Sequence, residues 1–312
     1  KLKIDIVEFE KCLNEQKSRS KIDAVKHFGD WIVLKQDDVQ EFIGYDHSEA
    51  KIIITKYRSL VVKEKTKFQL IFNLTPFYPE GGGQVGDTGF IEDNQGKVLI
   101  KDTKRENGVI VHYVDELPKN LNSSFHGQVD LDRRTKISKN HSATHLLHHA
   151  LREVLGTHVE QKGSLVNENY LRFDFSHFSK LSPQELVLIE QKVNKQIRDA
   201  NSLIEERNIP MEIAKQKGAM MLFGEKYGDS VRVIQFGKSI ELCGGIHVSN
   251  SANIGNFKIS SESSISSGIR RIEALCDEKA DEVINKKLNE YEAISKLLKH
   301  PQELLSAVEL LQ

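Results

Sequence analysis

The chain has 312 residues, of which 38% are hydrophobic and 29% are charged, and this balance excludes a disordered or fibrous protein. Because the formal net charge is −1, any surface that binds nucleic acid must be a local patch of cations. No apolar run approaches the roughly 18 residues of a membrane span, and the charged start carries no signal peptide, so we expect no membrane partner. The three cysteines are too few for a disulfide framework and favour a reducing, cytoplasmic setting.

The first part of the chain predicts one helix followed by many short strands. Residues 1–28 have a loose apolar stripe at helical spacing and predict a helix. From Trp31 to about Val129, short β-like runs alternate with turn residues such as DNQG and ENG, a pattern typical of a small barrel or sandwich. The runs are KIIITKY, KFQLIFNL, KVLIKD and GVIVHYV.

Helices return at about Leu131. LDRRTKISKNHSATHLLHHALREVLG predicts a helix that ends at Gly156, and GSLVNENYLRFDFSHF predicts a hairpin of two strands. A capping box in SPQE starts a third helix. Strands are predicted in VRVIQF, SIELCGG and NIGNFKISSES, followed by a charged helix over about 277–298 and another helix in the last twelve residues.

Two pairs of residues have the spacing of metal ligands. His141 and His145 are four residues apart in a predicted helix, so they project from the same face. Cys243 and His247 have the same separation across CGGIH, where two glycines allow a tight turn. Imidazole nitrogen and thiolate sulfur are donors that suit Zn²⁺.

Spacing alone leaves two interpretations of these pairs open. In a chain with twelve histidines and three cysteines, the number of HxxxH pairs expected by chance is roughly 0.5, and the number of CxxxH pairs is roughly 0.1. The spacing is therefore compatible with a metal site and with ordinary histidines. Ser142 stands where a zincin protease has Glu, which excludes that class. Four protein ligands also suit a structural zinc better than a catalytic one, which keeps a position open. We interpret His148, His149, Cys12 and Cys276 as structural, although His148 lies three residues past His145 and could contact a metal ligand without being one.

A glycine cluster, GGGQVGDTG, spans Gly81 to Gly89. It contains G-x-G-x-x-G, but no strand precedes it and no helix follows, which excludes a dinucleotide-binding loop. The lack of GK[ST] excludes a P-loop. The cluster is either a tight turn in a β domain or a place where the backbone approaches a substrate or RNA, and the residues alone do not decide between the two.

Together these motifs resemble one family, alanyl-tRNA synthetase, in the region that edits mischarged tRNA. The resemblance covers most of residues 76 to 275 and rests on FYPEGGGQVGDTG, HSATHLLHHALREVLGTHVEQKGSLV, LRFDFSHF, KGAMMLFGEKYGDSVRV, ELCGGIH and SSGIRRIEA. FEKCLNEQKSRSK resembles the helix that links the family's aminoacylation half to its editing half. One departure is Ile246, where the family usually has Thr in CGGTH. Because position 246 is not a ligand, zinc binding should survive the change.

The resemblance implies an activity and a set of site residues. The family's editing site hydrolyses the ester of Ser-tRNA(Ala) or Gly-tRNA(Ala), because a pocket sized for alanine cannot strongly reject glycine or serine. Thr144 would meet the serine hydroxyl, and Gln161 would position substrate and water. Zinc ligation is implied for His141, His145, Cys243 and His247. The tRNA backbone is expected to contact four arginines, which otherwise form a solvated face: Arg133, Arg134, Arg270 and Arg271.

Two alternatives to editing within a synthetase remain open. One is a non-catalytic, zinc-stabilised tRNA-binding module, which the four-ligand set favours. The other is a stand-alone trans-editing protein of the AlaX type, although helices on both sides favour part of a synthetase. Nothing in this chain could activate alanine with ATP, so we expect no aminoacylation by this piece.

The predicted fold class is α+β, arranged in four parts along the chain. A linker helix occupies residues 1–28, and a β-barrel-like domain occupies 29–131. A mixed α/β, zinc-containing editing core follows over 132–275, and 276–312 begin a C-terminal helical region.

Overall fold

A computed structural model describes residues 27–36, 40–62, 64–221, 228–299 and 303–310. The chain divides into two compact units, residues 1–79 with 86–130 and residues 80–85 with 131–312. The helix predicted over 1–28 lies outside the described residues, except for its last two, which form a strand.

The first unit is built from strands, which include all four of the predicted β-like runs. The strands are β1 (His27–Phe28), β2 (Ile32–Val33), β3 (Glu41–Phe42), β4 (Glu49–Val62), β5 (Lys65–Phe72), β6 (Leu74–Thr75), β7 (Gly89–Asp93), β8 (Gly96–Glu106), β9 (Val109–Val114) and β10 (Ser124–Val129).

Six of these strands pair in a closed circuit. The order is β4–β10–β7–β8–β9–β5 and back to β4, with every pair antiparallel. Such a circuit is the pairing pattern that a barrel-like domain requires. Side chains of the strands and of Phe77, which follows β6, form one buried apolar cluster, which also includes Ile52, Leu70, Phe72, Ile91 and Phe125.

The second unit mixes helices with two antiparallel sheets. One sheet has the order β11–β12–β17–β16 and the other β13–β14–β15. The strands are β11 (Gln161–Val166), β12 (Leu171–Ser176), β13 (Ile204–Pro210), β14 (Ser230–Phe236), β15 (Ser239–Leu242), β16 (Phe257–Ser266) and β17 (Ile269–Cys276). The helices are α1 (Leu131–Leu155), α2 (Pro183–Arg198), α3 (Met211–Gln216), α4 (Asp277–Leu297) and α5 (Leu304–Glu309), with a 3-10 turn at Ser251–Ile254.

Local sequence signals set most of these boundaries. The predicted capping box is present at the start of α2: the Ser182 hydroxyl accepts from the Glu185 N–H at 3.2 Å, and the Glu185 carboxylate accepts from the Ser182 N–H at 2.7 Å. Gly156 follows α1 with a φ of 114°, a conformation that favours glycine. The strand predicted in NIGNFKISSES begins only at Phe257. Ahead of it the Asn250 side chain accepts from the Ala252 N–H at 2.9 Å and caps the 3-10 turn instead.

The helix α1 lies in the centre of the second unit. Its Leu146, Leu147 and Leu151 are fully buried in one apolar cluster with side chains of β12 and α2, such as Phe173 and Ile189. Because α1 is buried on more than one side, polar side chains along it are buried as well. Among the described helices, none has both the length and the apolar character needed to span a membrane.

Candidate metal centre

The four predicted ligands meet in the second unit. The helix α1 carries His141 and His145, and the loop that follows β15 carries Cys243 and His247. Their ligand atoms all lie within 4.8 Å of one another, so the group can hold a metal ion. The Cys243 Sγ is 3.3 Å from the Nε2 of His141 and 3.3 Å from the Nε2 of His247. The structure thus joins two sequence pairs that are about a hundred residues apart.

The surroundings of the three imidazoles of the centre disfavour their charged form. Burial holds the pKa of His141 and of His247 well below the usual range, and the neighbouring histidines and Arg232 act in the same direction. Burial also lowers the pKa of His145, partly offset by the carboxylate of Glu241. Neutral imidazoles have a free lone pair on one ring nitrogen, which is the form that binds a metal. With the Cys243 sulfur they make the nitrogen and sulfur donor set that suits zinc.

Arg232 on β14 fixes the loop that carries Cys243. Its Nη1 donates to the carbonyl of Cys243 at 2.9 Å and to the carbonyl of Gly245 at 2.7 Å, while its Nε donates to Glu205 at 2.7 Å. Gly245 leaves room for the imidazole, because a Cβ there would collide with the ring of His141. The close approach of the His141 ring explains why a glycine stands at position 245.

The glycine cluster is a tight turn whose first part belongs to the second unit. Gly81 and Gln84 exchange two backbone hydrogen bonds of 3.0 Å, with φ of 57° at Gly82 and 81° at Gly83, as in a type I′ turn. The turn is tied to the end of β11 by hydrogen bonds that join Val166 to Gly83 and Val85. This places the fully buried side chain of Gln84 against His141, at 2.7 Å. Sequence reasoning left the tight turn as one of two interpretations and missed the glutamine.

Other polar groups missed from the sequence surround the ligands. The Ser142 hydroxyl is 3.1 Å from the Nδ1 of His247 and accepts from the Val248 N–H at 3.1 Å. The buried carboxylate of Glu241 is 3.0 Å from the Nδ1 of His148 and 3.7 Å from the Nε2 of His145. One signal was available for Glu241, because it lies two residues before Cys243 at the end of a predicted strand and so shares its face.

A small cavity of about 50 Å³ opens beside the cluster, which is room for a few water molecules. His141, His145 and Cys243 line it, together with the predicted substrate residues Thr144 and Gln161. The Thr144 hydroxyl donates to the carbonyl of Asn140 at 2.9 Å, the i−4 bond that a helical threonine commonly makes. Its oxygen lone pairs stay available toward the cavity.

Three of the four arginines predicted to contact tRNA form ion pairs. Arg271 on β17 makes a two-pronged pair with Asp174, its cross-strand partner, at 2.6 and 2.8 Å. The Nε of Arg270 donates to Glu262 at 2.6 Å, and the Nε of Arg133 is 3.2 Å from Glu168. Arg134 is buried. Contact of these side chains with tRNA stays a prediction.

The remaining candidates differ in exposure, and their structural role stays a prediction. His148 is buried and His149 is half-buried. Cys276 is buried, which raises the pKa of its thiol, and Cys12 lies outside the described residues.

Comparison with known proteins decides the family. A family model described as tRNA synthetases class II (A) matches residues 1–134, and one described as the threonyl and alanyl tRNA synthetase second additional domain matches residues 231–273. Proteins named alanine–tRNA ligase are similar along almost the whole chain. The protein of Christiangramia forsetii is 51% identical over 97% of the chain, that of Flavobacterium psychrophilum 48% over 99%, and that of Cytophaga hutchinsonii 47% over 99%.

This chain belongs to the alanyl-tRNA synthetase family. It spans about a third of the length of these relatives: 35%, 36% and 35% in the same order. The match to the second additional domain begins in β14 and ends in β17, and it includes Cys243 and His247. Two of the four candidate ligands therefore lie within this match, and His141 and His145 lie between the two matched parts of the chain.

Proposed function

We propose that this chain hydrolyses the ester of Ser-tRNA(Ala) or Gly-tRNA(Ala), as the editing part of an alanine–tRNA ligase. One observation carries the proposal: three of the four clustered nitrogen and sulfur donors, His141, His145 and Cys243, line one small cavity together with Thr144 and Gln161. The match to the second additional domain of threonyl and alanyl tRNA synthetases supports it. The need for such a site is physical, since a binding pocket for alanine cannot strongly reject glycine or serine.

The donor set fits zinc, because three neutral imidazoles and one thiol within 4.8 Å match the nitrogen and sulfur ligation of tetrahedral sites. A zinc ion held by His141, His145, Cys243 and His247 would supply Lewis-acid polarisation to the ester or to a water molecule. Arg232 and Gly245 keep the Cys243 loop in place for this ligation.

Thr144 is the residue that distinguishes serine from alanine. Because its hydroxyl proton is donated to Asn140, its oxygen would accept a hydrogen bond from the hydroxyl of a seryl group. An alanyl group has no hydroxyl and would leave this buried oxygen without that partner. Gln161 lines the same cavity and would orient the ester and the attacking water.

The experiment compares hydrolysis of Ser-, Gly- and Ala-tRNA(Ala) by the unaltered chain and by Thr144→Val. We expect hydrolysis of the Ser and Gly esters and little of the Ala ester; Thr144 accounts only for the preference for serine over alanine, since a glycyl group also lacks a hydroxyl. Thr144→Val should slow hydrolysis of the Ser ester about tenfold, which corresponds to the loss of one hydrogen bond, and leave hydrolysis of the Gly ester nearly unchanged. Absence of hydrolysis by the zinc-loaded chain would contradict the proposal.

A second candidate is a non-catalytic, zinc-stabilised module that binds tRNA(Ala). The four protein donors favour it, since a closed tetrahedral zinc is usually structural. Such a module would bind tRNA(Ala) and zinc without deacylation, so the same assay separates the two. Ligation of alanine with ATP is proposed for the longer ligase. We expect no alanine-dependent pyrophosphate exchange by this chain alone.

A further inference from the structure

A glutamine outside the predicted ligand set holds the imidazole of His141. The Oε1 of Gln84 is 2.7 Å from the Nδ1 of His141 and 2.9 Å from the backbone nitrogen of Ile246. The Gln84 side chain is fully buried, and its other amide atom, Nε2, has no hydrogen-bond partner in the described part of the chain. All of its observed side-chain hydrogen bonds therefore pass through Oε1.

The Ile246 backbone N–H fixes which way the Gln84 amide faces. A backbone N–H can only donate, so the atom opposite it must be the acceptor Oε1. If the amide were turned by half a turn, its NH₂ group would oppose the N–H of Ile246. Position 246 contributes through its backbone, so this argument holds for isoleucine as it would for another side chain.

The orientation of Gln84 in turn fixes the tautomer of His141. Because Oε1 can only accept, the Nδ1 of His141 must carry the proton and donate it. A neutral imidazole has one ring proton, so the lone pair is on Nε2. That Nε2 is the atom 3.3 Å from the Cys243 sulfur, inside the ligand cluster.

The chain holds Gln84 rigidly in this position. The turn from Gly81 to Gln84 closes with two backbone hydrogen bonds, and Gly83 lies so close to β11 that a Cβ there would be 2.7 Å from that of Ser164. Gly245 makes the space in which the amide and the imidazole meet, since a Cβ there would be 3.0 Å from the Gln84 Oε1.

We propose that Gln84 is a positioning residue that selects the Nδ1–H tautomer of His141 and so keeps the Nε2 lone pair available to a metal ion. The inference rests on the proposed function for the presence of the metal, and its tautomer part concerns the protein alone. A hydrogen bond to the second nitrogen of a histidine ligand commonly orients the ring and strengthens metal binding.

The first test measures the tautomer in the metal-free chain. Long-range proton–nitrogen NMR on histidine-labelled protein identifies His141 by the signal that disappears in His141→Gln. We expect the Nδ1–H tautomer in the unaltered chain and in Gln84→Glu, which keeps an acceptor. We expect Gln84→Leu, which has none, to lose that preference. An Nε2–H tautomer in the unaltered chain overturns the inference.

The second test measures zinc affinity by competition with a chelator, and ligand geometry by the visible absorption of the Co²⁺ form. We expect Gln84→Leu to bind zinc roughly 10- to 100-fold more weakly, and Gln84→Glu to stay within a few-fold of the unaltered chain. Equal affinity and an unchanged cobalt spectrum in Gln84→Leu overturn the inference. If Gln84→Leu does not fold, as judged by circular dichroism, Gln84→Met replaces it.

The outcomes separate the two proposals. A chain that has the expected tautomer and zinc affinities but hydrolyses no Ser-tRNA(Ala) contradicts the proposed function alone. A chain that hydrolyses the ester and whose Gln84→Leu variant keeps full zinc affinity contradicts the role of Gln84 alone.

Discussion

Each unit of the molecule contains buried histidine, and the difference between the two environments separates a structural histidine from a metal-binding one. In the first unit, His112 is fully buried and stacks on Phe72 at 4.1 Å. Its Nδ1 donates to the Leu70 carbonyl at 3.2 Å, so its Nε2 accepts from the Thr75 hydroxyl at 2.8 Å. Both ring nitrogens are satisfied by neutral protein groups.

In the second unit, His141 is similarly buried, and burial lowers its pKa as it lowers that of His112. Its Nδ1 also donates, to Gln84, but its Nε2 faces the Cys243 sulfur and the rings of two other histidines. The Cys243 sulfur and the ligand nitrogens of His145 and His247 are all electron-pair donors. Burial and a low pKa are thus shared by both sites, and only the partners of the second nitrogen indicate a place for a cation.

The largest effect should come from removing a ligand. His141→Ala and Cys243→Ala should reduce Ser-tRNA(Ala) hydrolysis roughly 100-fold or more, because loss of even the groups behind a metal ligand commonly costs 10- to 100-fold. The matched control is His112→Gln, a change of an equally buried histidine in the first unit. It should keep hydrolysis within a few-fold, measured with folded protein. Full activity in the two ligand variants under metal-free conditions would contradict a role of the metal ligands in hydrolysis.

A smaller effect is expected from the arginine that holds the Cys243 loop. Arg232→Met removes both hydrogen bonds to the carbonyls of Cys243 and Gly245 and should weaken zinc binding about tenfold. Its counterpart in the first unit is Arg58, which pairs with Glu106 at 2.7 Å. Arg58→Met should lower only the midpoint of unfolding. Equal zinc affinities in the two variants would show that the loop needs no such clamp.

The pH dependence of stability gives a further contrast. The pKa of His112 is lowered from 6.5 to about 3, mainly by burial, so the unfolded chain binds this proton more readily than the folded one. Its contribution to stability is complete above pH 6.5 and is lost as pH falls from 6.5 toward 3, by about 1 kcal/mol per pH unit. Urea unfolding of the unaltered chain and of His112→Gln between pH 7 and pH 5 measures it. The variant should have the flatter profile, and identical slopes would contradict the assignment.

The smallest effects concern tRNA. Arg133→Gln and Arg271→Gln each remove one charge and should weaken binding of tRNA(Ala) a few-fold. The slope of log affinity against log salt concentration should fall by about the amount that one phosphate contact contributes. Arg271 also pairs with Asp174 inside a sheet, so its replacement should lower stability as well. If affinity and salt slope stay unchanged while stability falls, these arginines serve only their ion pairs with Glu168 and Asp174.

The sequence predicted the local elements and the ligand pairs because their signals are local. The capping box at Ser182 and the helix that carries His141 and His145 both depend on residues within a few positions of one another, whereas the tight turn was only one of two interpretations of the glycine cluster. Gln84 could not be found in this way, because it meets His141 across 57 residues. Its position depends on the pairing of the turn with β11, which no residue pattern specifies. The pairings of β4 with β10 and of β5 with β9, which complete the strand circuit, join segments far apart in the chain and were hidden for the same reason.

The account is tested most directly by metal removal and return. The unaltered chain is freed of metal with a chelator, assayed on Ser-tRNA(Ala), and assayed again after one equivalent of zinc, with bound zinc counted by atomic absorption. We predict one zinc ion per chain, loss of hydrolysis when zinc is removed, and recovery when zinc is returned. The His112→Gln variant should give the same three results. Hydrolysis at the full rate without metal, or zinc bound by the chain with no hydrolysis, would contradict the account.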